Sequence, residues 1–371
     1  MNNKFEEPQN NRHTTIGQRL FRGCACCQIA NAPADPARRT FLAGGLAALG
    51  LGASANAPAK SRAAVTRRID VHHHYIPPVH AEAMAAIRVG GPPPPWSPQL
   101  SFADMEKSGS TMAVLSLVQP GVWLGDVRQA RRLARACNDY GARLRMDYPG
   151  RFGLFAAIPL PDTEGSLGEI EYALDVLKAD GIGLFTSYEG KYLGDPAFIP
   201  VFDELNRRKA VVYTHPSVPA CCTSMIKGVS TSTIEYATDT TRTIASLIFG
   251  AGGTAFRCPD IRFIWSHSGG TLPFLISRFI REQDVKKDPR MPVGPVPIVQ
   301  KYFYEIAQGN MPGQLAALLK LIPVSQLMFG SDYPFRQGVE AADGLAAYNF
   351  SESDRAAIDW KTAIGLMPNL S

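Results

Sequence analysis

Arg68-Ile69-Asp70-Val71-His72-His73-His74 is a short apolar run that ends in three imidazoles. Ile and Val favour extended backbone, and along a strand successive side chains alternate faces. His72 and His74 therefore point one way and His73 the other. Two imidazoles on one face, about 7 Å apart along the strand, can converge on a single metal ion. By the same parity Asp70 is expected on the ligand face one layer deeper, as a carboxylate that orients an imidazole. His73 is expected to pack against surrounding helices. The chain has seven histidines, and His215 and His267 also close strand-like runs.

Outward from this run the pattern repeats. Strand-like segments are expected at residues 67–75, 111–118, 152–160, 181–186, 210–215, 262–267, 302–307 and 327–331. Helical periodicity lies between them, at 126–146, 166–179, 199–208, 238–256, 271–282 and 311–321. In the first of these Val127, Ala130, Leu133, Ala134, Cys137 and Tyr140 recur on one face, with arginines opposite. Eight buried-type strands alternating with helices predict a parallel sheet, and eight strands close a (β/α)8 TIM barrel. A doubly wound open sheet is the competitor, but no Gly-rich phosphate loop follows the first strand. Gly90-Gly91-Pro92-Pro93-Pro94-Pro95 reads as an inserted loop ahead of a short helix at 102–108.

The barrel is expected to occupy residues 67–370, and residues 1–57 read as an address. Arg38-Arg39-Thr40-Phe41-Leu42 is a twin-arginine pattern followed by a Gly/Ala/Leu core, with A-x-A cleavage sites at Ala53-Ser54-Ala55 and Ala55-Asn56-Ala57. The expected partner is thus the twin-arginine export machinery and the expected location the periplasm, or the cytoplasm if the leader is not used. Lys4, Arg12, Arg19, Arg22, Arg38 and Arg39 outnumber Glu6, Glu7 and Asp35 there by three. Of the net +5, only +2 remains for the body. So weak a charge does not suggest a nucleic-acid partner, which usually needs a concentrated basic face, and none is expected. Cys24, Cys26 and Cys27 would leave with the leader. Cys137 sits in a helical pattern as a core residue. Cys221 and Cys222 are not expected to bridge each other, because adjacent cysteines rarely do, and either guard the pocket or are incidental.

Active sites of such barrels lie at the C-terminal ends of the strands. That rule gathers His72 and His74 from the first strand, His215 from the fifth, His267 from the sixth and Asp332 from the eighth. Singly each has a plain structural reading, such as a turn residue before Pro216 or a cap on the next helix. Together they define a site.

Four motifs in order carry a resemblance: Asp70-x-His72-x-His74, His215-Pro216, His267-x-Gly269-Gly270-x-x-Pro273-Phe274 and Gly330-Ser331-Asp332-Tyr333-Pro334-Phe335. This set resembles amidohydrolase family 2, and within it the aminocarboxymuconate-semialdehyde decarboxylase-like branch. The resemblance implies a barrel of the metal-dependent hydrolase type with one divalent metal, usually zinc and sometimes manganese. It implies His72, His74, His215 and Asp332 as ligands, and His267, with Asp332, as the catalytic pair in which His267 is the base. It also implies a dimer or tetramer. Ser268 stands where the family usually has glycine, and Trp360-Lys361-Thr362-Ala363 replaces the common Gly-Asn-Ala near the C-terminus. The fourth strand ends in Leu184-Phe185-Thr186 without lysine, so a carbamylated-lysine bridge between two metals is not expected.

The implied reaction is non-oxidative loss of CO2 from a small unsaturated or aromatic carboxylic acid. The alternative is hydrolysis of a lactone, ester or amide by metal-bound hydroxide. A third possibility, a non-catalytic binding protein, has no use for His267. An anionic substrate needs a cationic clamp, for which Arg278 and Arg336 are candidates. Trp123 and Tyr188 either line an aromatic pocket or cover the barrel mouth.

Overall fold

Apolar runs rich in Val, Ile, Leu and Phe build eight parallel strands, the composition expected of strands covered on both faces. They are β1 (Ile69–Tyr75), β2 (Met112–Leu117), β3 (Phe152–Ala157), β4 (Gly181–Phe185), β5 (Val211–His215), β6 (Arg262–Trp265), β7 (Phe303–Glu305) and β8 (Leu327–Met328). The computed structural model describes residues 67–87 and 93–371. The strands are hydrogen-bonded in chain order from β1 to β8. Val71 N–H then donates to Phe329 C=O at 3.0 Å, and His74 N–H to Tyr333 C=O at 2.8 Å. Asp332 N–H returns a bond to His72 C=O at 2.8 Å. These bonds bring the eighth strand back to the first, and the fold is the expected (β/α)8 barrel.

Helices alternate with the strands: α1 (Pro78–Ile87), α2 (Pro98–Ser108), α3 (Val127–Asp147), α4 (Thr163–Glu171), α5 (Ile199–Arg207), α6 (Thr231–Phe249), α7 (Leu272–Lys286), α8 (Pro312–Leu319) and α9 (Gly338–Ala347). α2 begins four residues earlier than expected because Ser97 accepts from Leu100 N–H as an N-cap and Pro98 suits the first turn. α6 runs 231–249 rather than 238–256, because Gly250 and the Gly252-Gly253 pair stop it. A two-residue hairpin, Ser187–Tyr188 against Lys191–Tyr192, was not foreseen.

Two apolar layers follow from strand alternation. Outward side chains such as Leu115, Leu154, Ile182, Phe263 and Leu327 pack beneath the helices. Inward ones, Ile69, Val71, Met112, Val114, Phe155, Val211, Tyr213, Ile264 and Met328, fill the lower barrel. Ala363, Leu366, Met367 and Leu370 close the bottom against them. Arg262 and Arg67 donate to Leu366 C=O (3.1 Å) and Leu370 C=O (2.8 Å), tying that plug in place.

β1 departs from regular alternation. Its register with β2 pairs Asp70 with Ala113 but His73 with Leu115, so β1 carries one extra residue. Val71 packs in the interior cluster and His72 also faces inward, two neighbours on one face. The bulge corrects the expectation for Asp70, whose side chain shares the opposite face with His73. Bulges next to active sites commonly re-aim a side chain in this way.

Cys137 is buried in α3, and burial pushes its thiol up to about 12. Cys221 and Cys222, expected to stay apart, form a disulfide in the exposed loop after β5. A turn closed by Cys222 N–H donating to Pro219 C=O at 3.2 Å lies at the pair. The twin-arginine leader, Cys24, Cys26, Cys27 and Gly90–Pro92 lie outside the described residues. No helix among the described residues is long and apolar enough to cross a membrane.

Candidate metal centre

Four side chains converge at the C-terminal mouth of the barrel. His72 and His74 come from β1, His215 from the last position of β5 and Asp332 from the turn after β8. One ligand atom from each lies within 4.8 Å of the others, and all four residues are buried. His72 Nε2 is 3.1 Å from His74 Nε2 and 3.2 Å from Asp332 Oδ1, which is 3.3 Å from His74 Nε2. Asp332 Oδ1 is buried with no well-formed hydrogen bond. An acceptor oxygen and imidazole nitrogens crowded together repel one another unless a cation sits among them, so the donor set fits a divalent ion.

Each imidazole is turned by a bond at its other nitrogen. His72 Nδ1 donates to Glu305 Oε1 at 2.8 Å, His74 Nδ1 meets Ser116 Oγ at 3.1 Å, and His215 Nδ1 donates to Pro216 C=O at 2.8 Å. Engaging Nδ1 directs Nε2 to the centre, the usual partnership behind a metal-binding histidine. Burial lowers His215 well below the ordinary histidine range and lowers His74 as well. Burial also disfavours charge on His72, but Glu305 and Asp332 outweigh it and push the group up to about 10. Burial opposes charge on Asp332 too, yet His72 holds its carboxyl well below the carboxylate range. These opposed shifts favour a proton shared between His72 and Asp332, which a bound cation would displace.

His267 lies across the centre, 4.9 Å between ring centroids from His72 and 5.5 Å from His215. Its Nδ1 donates to Ala307 C=O at 3.1 Å, which leaves Nε2 as acceptor. Burial lowers its basicity, and Asp332 partly restores it. His267 (φ +52°), Ser268 (+57°), Gln308 (+51°) and Asp332 (+68°) all adopt left-handed backbone, uncommon for residues with a side chain and frequent at functional sites.

Asp70 serves the frame of the site. Its carboxylate accepts from His73 Nδ1 (3.0 Å), from His72 N–H (3.1 Å) and from Ser331 N–H (3.0 Å) and Oγ–H (2.5 Å). It thereby ties the β1 bulge to the residue before Asp332. His73 meets Ser101 of α2 at 3.0 Å and stacks on Tyr333, packed away from the centre as expected.

Arg336 is exposed at the rim of a cleft of about 330 Å³ that Gln308, Ser331 and Glu340 also line, next to Asp332. Arg278 is exposed along α7 and is not among the residues lining that cleft. Trp123 is half-buried in the loop after β2. Tyr188 is buried in the outer core, its hydroxyl accepting from Phe185 N–H at 2.9 Å. The aromatic rings set beside the imidazoles are instead Phe335, 5.6 Å from His74, and Phe185 and Tyr236, 6.1 and 6.3 Å from His215.

Sequence reasoning missed two polar groups. Glu305 ends β7 and is fully buried against His72. Gln308 donates through Nε2 to Asp332 Oδ2. Glu305 was findable, because a charged residue closing a barrel strand meets the same rule that gathered the histidines. Glu305, His72 and His267 form a second group able to hold an ion. The N–H groups already bound to the Glu305 oxygens make it a hydrogen-bonded cluster instead.

Residues 69–367 match the amidohydrolase family Amidohydro_2. The chain is 34% identical over 326 residues to the 6-methylsalicylic acid decarboxylase of Penicillium expansum, across 82% of this chain and 97% of that one. A solved amidohydrolase II superposes with a TM-score of 0.76 at 28% identity, over 81% of this chain and 99% of the other. The manganese-bound dihydroxybenzoic acid decarboxylase of Polaromonas sp. JS666 shares the fold, with a TM-score of 0.67 at 21% identity over 81% and 97% of the two chains. The chain belongs to the amidohydrolase family and is an enzyme of that superfamily.

Proposed function

We propose that this protein is a mononuclear metal-dependent decarboxylase that removes CO2 from a small aromatic carboxylic acid without a redox cofactor. The observation that carries this is the convergence of His72, His74, His215 and Asp332 opposite a separate, acceptor-ready imidazole, His267. The 34% identity to a 6-methylsalicylic acid decarboxylase supports the choice of reaction over hydrolysis. The four residues would hold one divalent ion, zinc or manganese, which supplies positive charge to fix an anionic substrate and stabilise electrons left on the ring.

The protein's own groups do the rest. His267 Nε2 takes up a proton and delivers it to the ring carbon that loses the carboxylate, so that CO2 leaves as a carbon–hydrogen bond replaces the carbon–carbon bond. Ala307 C=O, bound to Nδ1–H, holds the tautomer this requires. Phe335, Phe185 and Tyr236 flank His74 and His215 and would offer apolar faces to a bound ring. Arg336, at the rim beside Asp332, is the favoured clamp for a remote anionic group. The N-terminal residues act as a twin-arginine leader, which replacement of Arg38-Arg39 by Lys-Lys tests through the location of the full chain.

The deciding experiment incubates metal-loaded protein with a panel of hydroxybenzoates and, separately, lactones. CO2 release from the acids, lost in His267→Asn with metal content intact, is expected. Lactone turnover without CO2 from any acid would refute the decarboxylase reading.

A further inference from the structure

Glu305 sits outside the four converging ligands, yet its carboxylate touches both halves of the site. Oε1 accepts from His72 Nδ1 at 2.8 Å and from the His267 backbone N–H at 2.5 Å. Oε2 accepts from Ala307 N–H at 2.6 Å, and Ala307 C=O in turn receives His267 Nδ1–H. One fully buried group therefore orients a metal-facing imidazole directly and the opposed imidazole twice, through its peptide and through its ring.

The three partners are all donors once His72 keeps Nδ1–H and leaves Nε2 for the centre. A carboxylate offers acceptors only, whereas a carboxamide places an NH2 against at least one of those N–H groups whichever way it turns. The surroundings are cut to this side chain. A Cβ added at Gly330 would lie 2.0 Å from Glu305 Oε2 and 2.9 Å from His72 Cβ, so the glycine of Gly330-Ser331-Asp332 makes room for it. His267 holds φ +52°, an unfavourable conformation for its side chain, and the Glu305 bond to its N–H fixes that peptide.

We propose that Glu305 is a positioning residue that couples the metal-binding half of the site to the proton-transferring half. This rests on the decarboxylase reading for its kinetic part only. The carboxylate sets the angle of His72 toward the ion and the angle of His267 toward the substrate, so that neither is placed independently of the other.

The test uses Glu305→Gln in the full chain, an isosteric change, with Gly330→Ala as a second variant that displaces the carboxylate without removing it. Mn²⁺ and Zn²⁺ affinities are measured by competition with a chelator, and circular dichroism checks the fold. Both variants are expected to lose about tenfold to a hundredfold in metal affinity. At saturating metal, Glu305→Gln is expected to keep KM within about threefold while kcat falls about 10²-fold, the scale of a misplaced reacting group. Long-range ¹H–¹⁵N spectra of ¹⁵N-histidine-labelled chain give a readout free of activity: the Nδ1–H signatures of His72 and His267 are expected to shift together in Glu305→Gln. Unchanged metal affinity would overturn the ligand half of the proposal. Full recovery of kcat at saturating metal, or a shift confined to His72, would overturn the coupling. If the wild type releases no CO2, the affinity and spectral arms still decide the proposal, and only the decarboxylase reading falls.

Discussion

The two ends of the barrel interior are built on opposite principles. The lower end is closed by Ile69, Met112, Val211, Ile264 and the plug residues Leu366, Met367 and Leu370, all apolar and buried. The upper end is equally buried but holds His72, His74, His215, Glu305 and Asp332. Burying apolar side chains stabilises by about 1.5–3 kcal/mol each. Burying polar and charged groups costs stability unless each finds a partner. The plug end therefore secures the fold, and the mouth draws on that stability to hold repelling groups in one place. The difference teaches where substitutions will be felt: below in folding, above in binding and turnover.

The largest effect that separates the ends is expected at the mouth. His215→Ala should lower kcat/KM at least about 10³-fold, roughly 4 kcal/mol of transition-state stabilisation, while the metal-free chain melts no earlier than wild type. A His215→Ala chain that melts many degrees below wild type, both in chelator at the same pH, would mean that the mouth also stabilises the fold. At the plug, Leu366→Ala should cost about 3 kcal/mol in a denaturant titration and leave kcat/KM per folded molecule unchanged within about twofold.

Proton linkage sharpens the contrast further. His72 is raised from 6.5 to about 10 in the ion-free protein, so its favourable contribution is complete below pH 6.5 and is lost as pH rises through about 10. Chelated protein should lose stability across that window, whereas metal-loaded protein, with the proton displaced, should not. The gap in Tm between the two forms is thus expected to widen with pH, and a gap that narrows would contradict the displaced proton. The smallest effect lies at the rim, where both arginines are exposed. Arg336→Ala should raise KM a few-fold, on the order of 1 kcal/mol for one solvated charge, and Arg278→Ala should leave it unchanged. The reverse ranking in initial-rate assays would move the substrate's anionic end toward α7.

The fold was legible because each strand is a short apolar run ended by turn residues, and the mouth was legible because its histidines and Asp332 close those runs. The bulge was not. Parity placed Asp70 with the ligands, and nothing in Ile69-Asp70-Val71-His72 signals the extra residue that sends it to His73 and Ser331 instead. Glu305 was passed over as an interior position of the expected strand 302–307, a lone acid among aromatics. Tyr188 shows the opposite limit: a loop aromatic near the mouth folded back into the outer core, a choice made by the unforeseen hairpin at 187–192. The cystine at Cys221–Cys222 was likewise not legible, because adjacent cysteines rarely pair.

The claim that the upper barrel is a one-metal centre is tested most directly by metal content. The full chain is stripped with chelator, reloaded with Zn²⁺ or Mn²⁺, freed of excess ion and analysed by elemental mass spectrometry. One tightly held ion per chain is predicted, absent from the His72→Ala/His74→Ala double variant that still folds by circular dichroism. No retained ion in the wild type, or an ion retained equally by the double variant, would contradict the account.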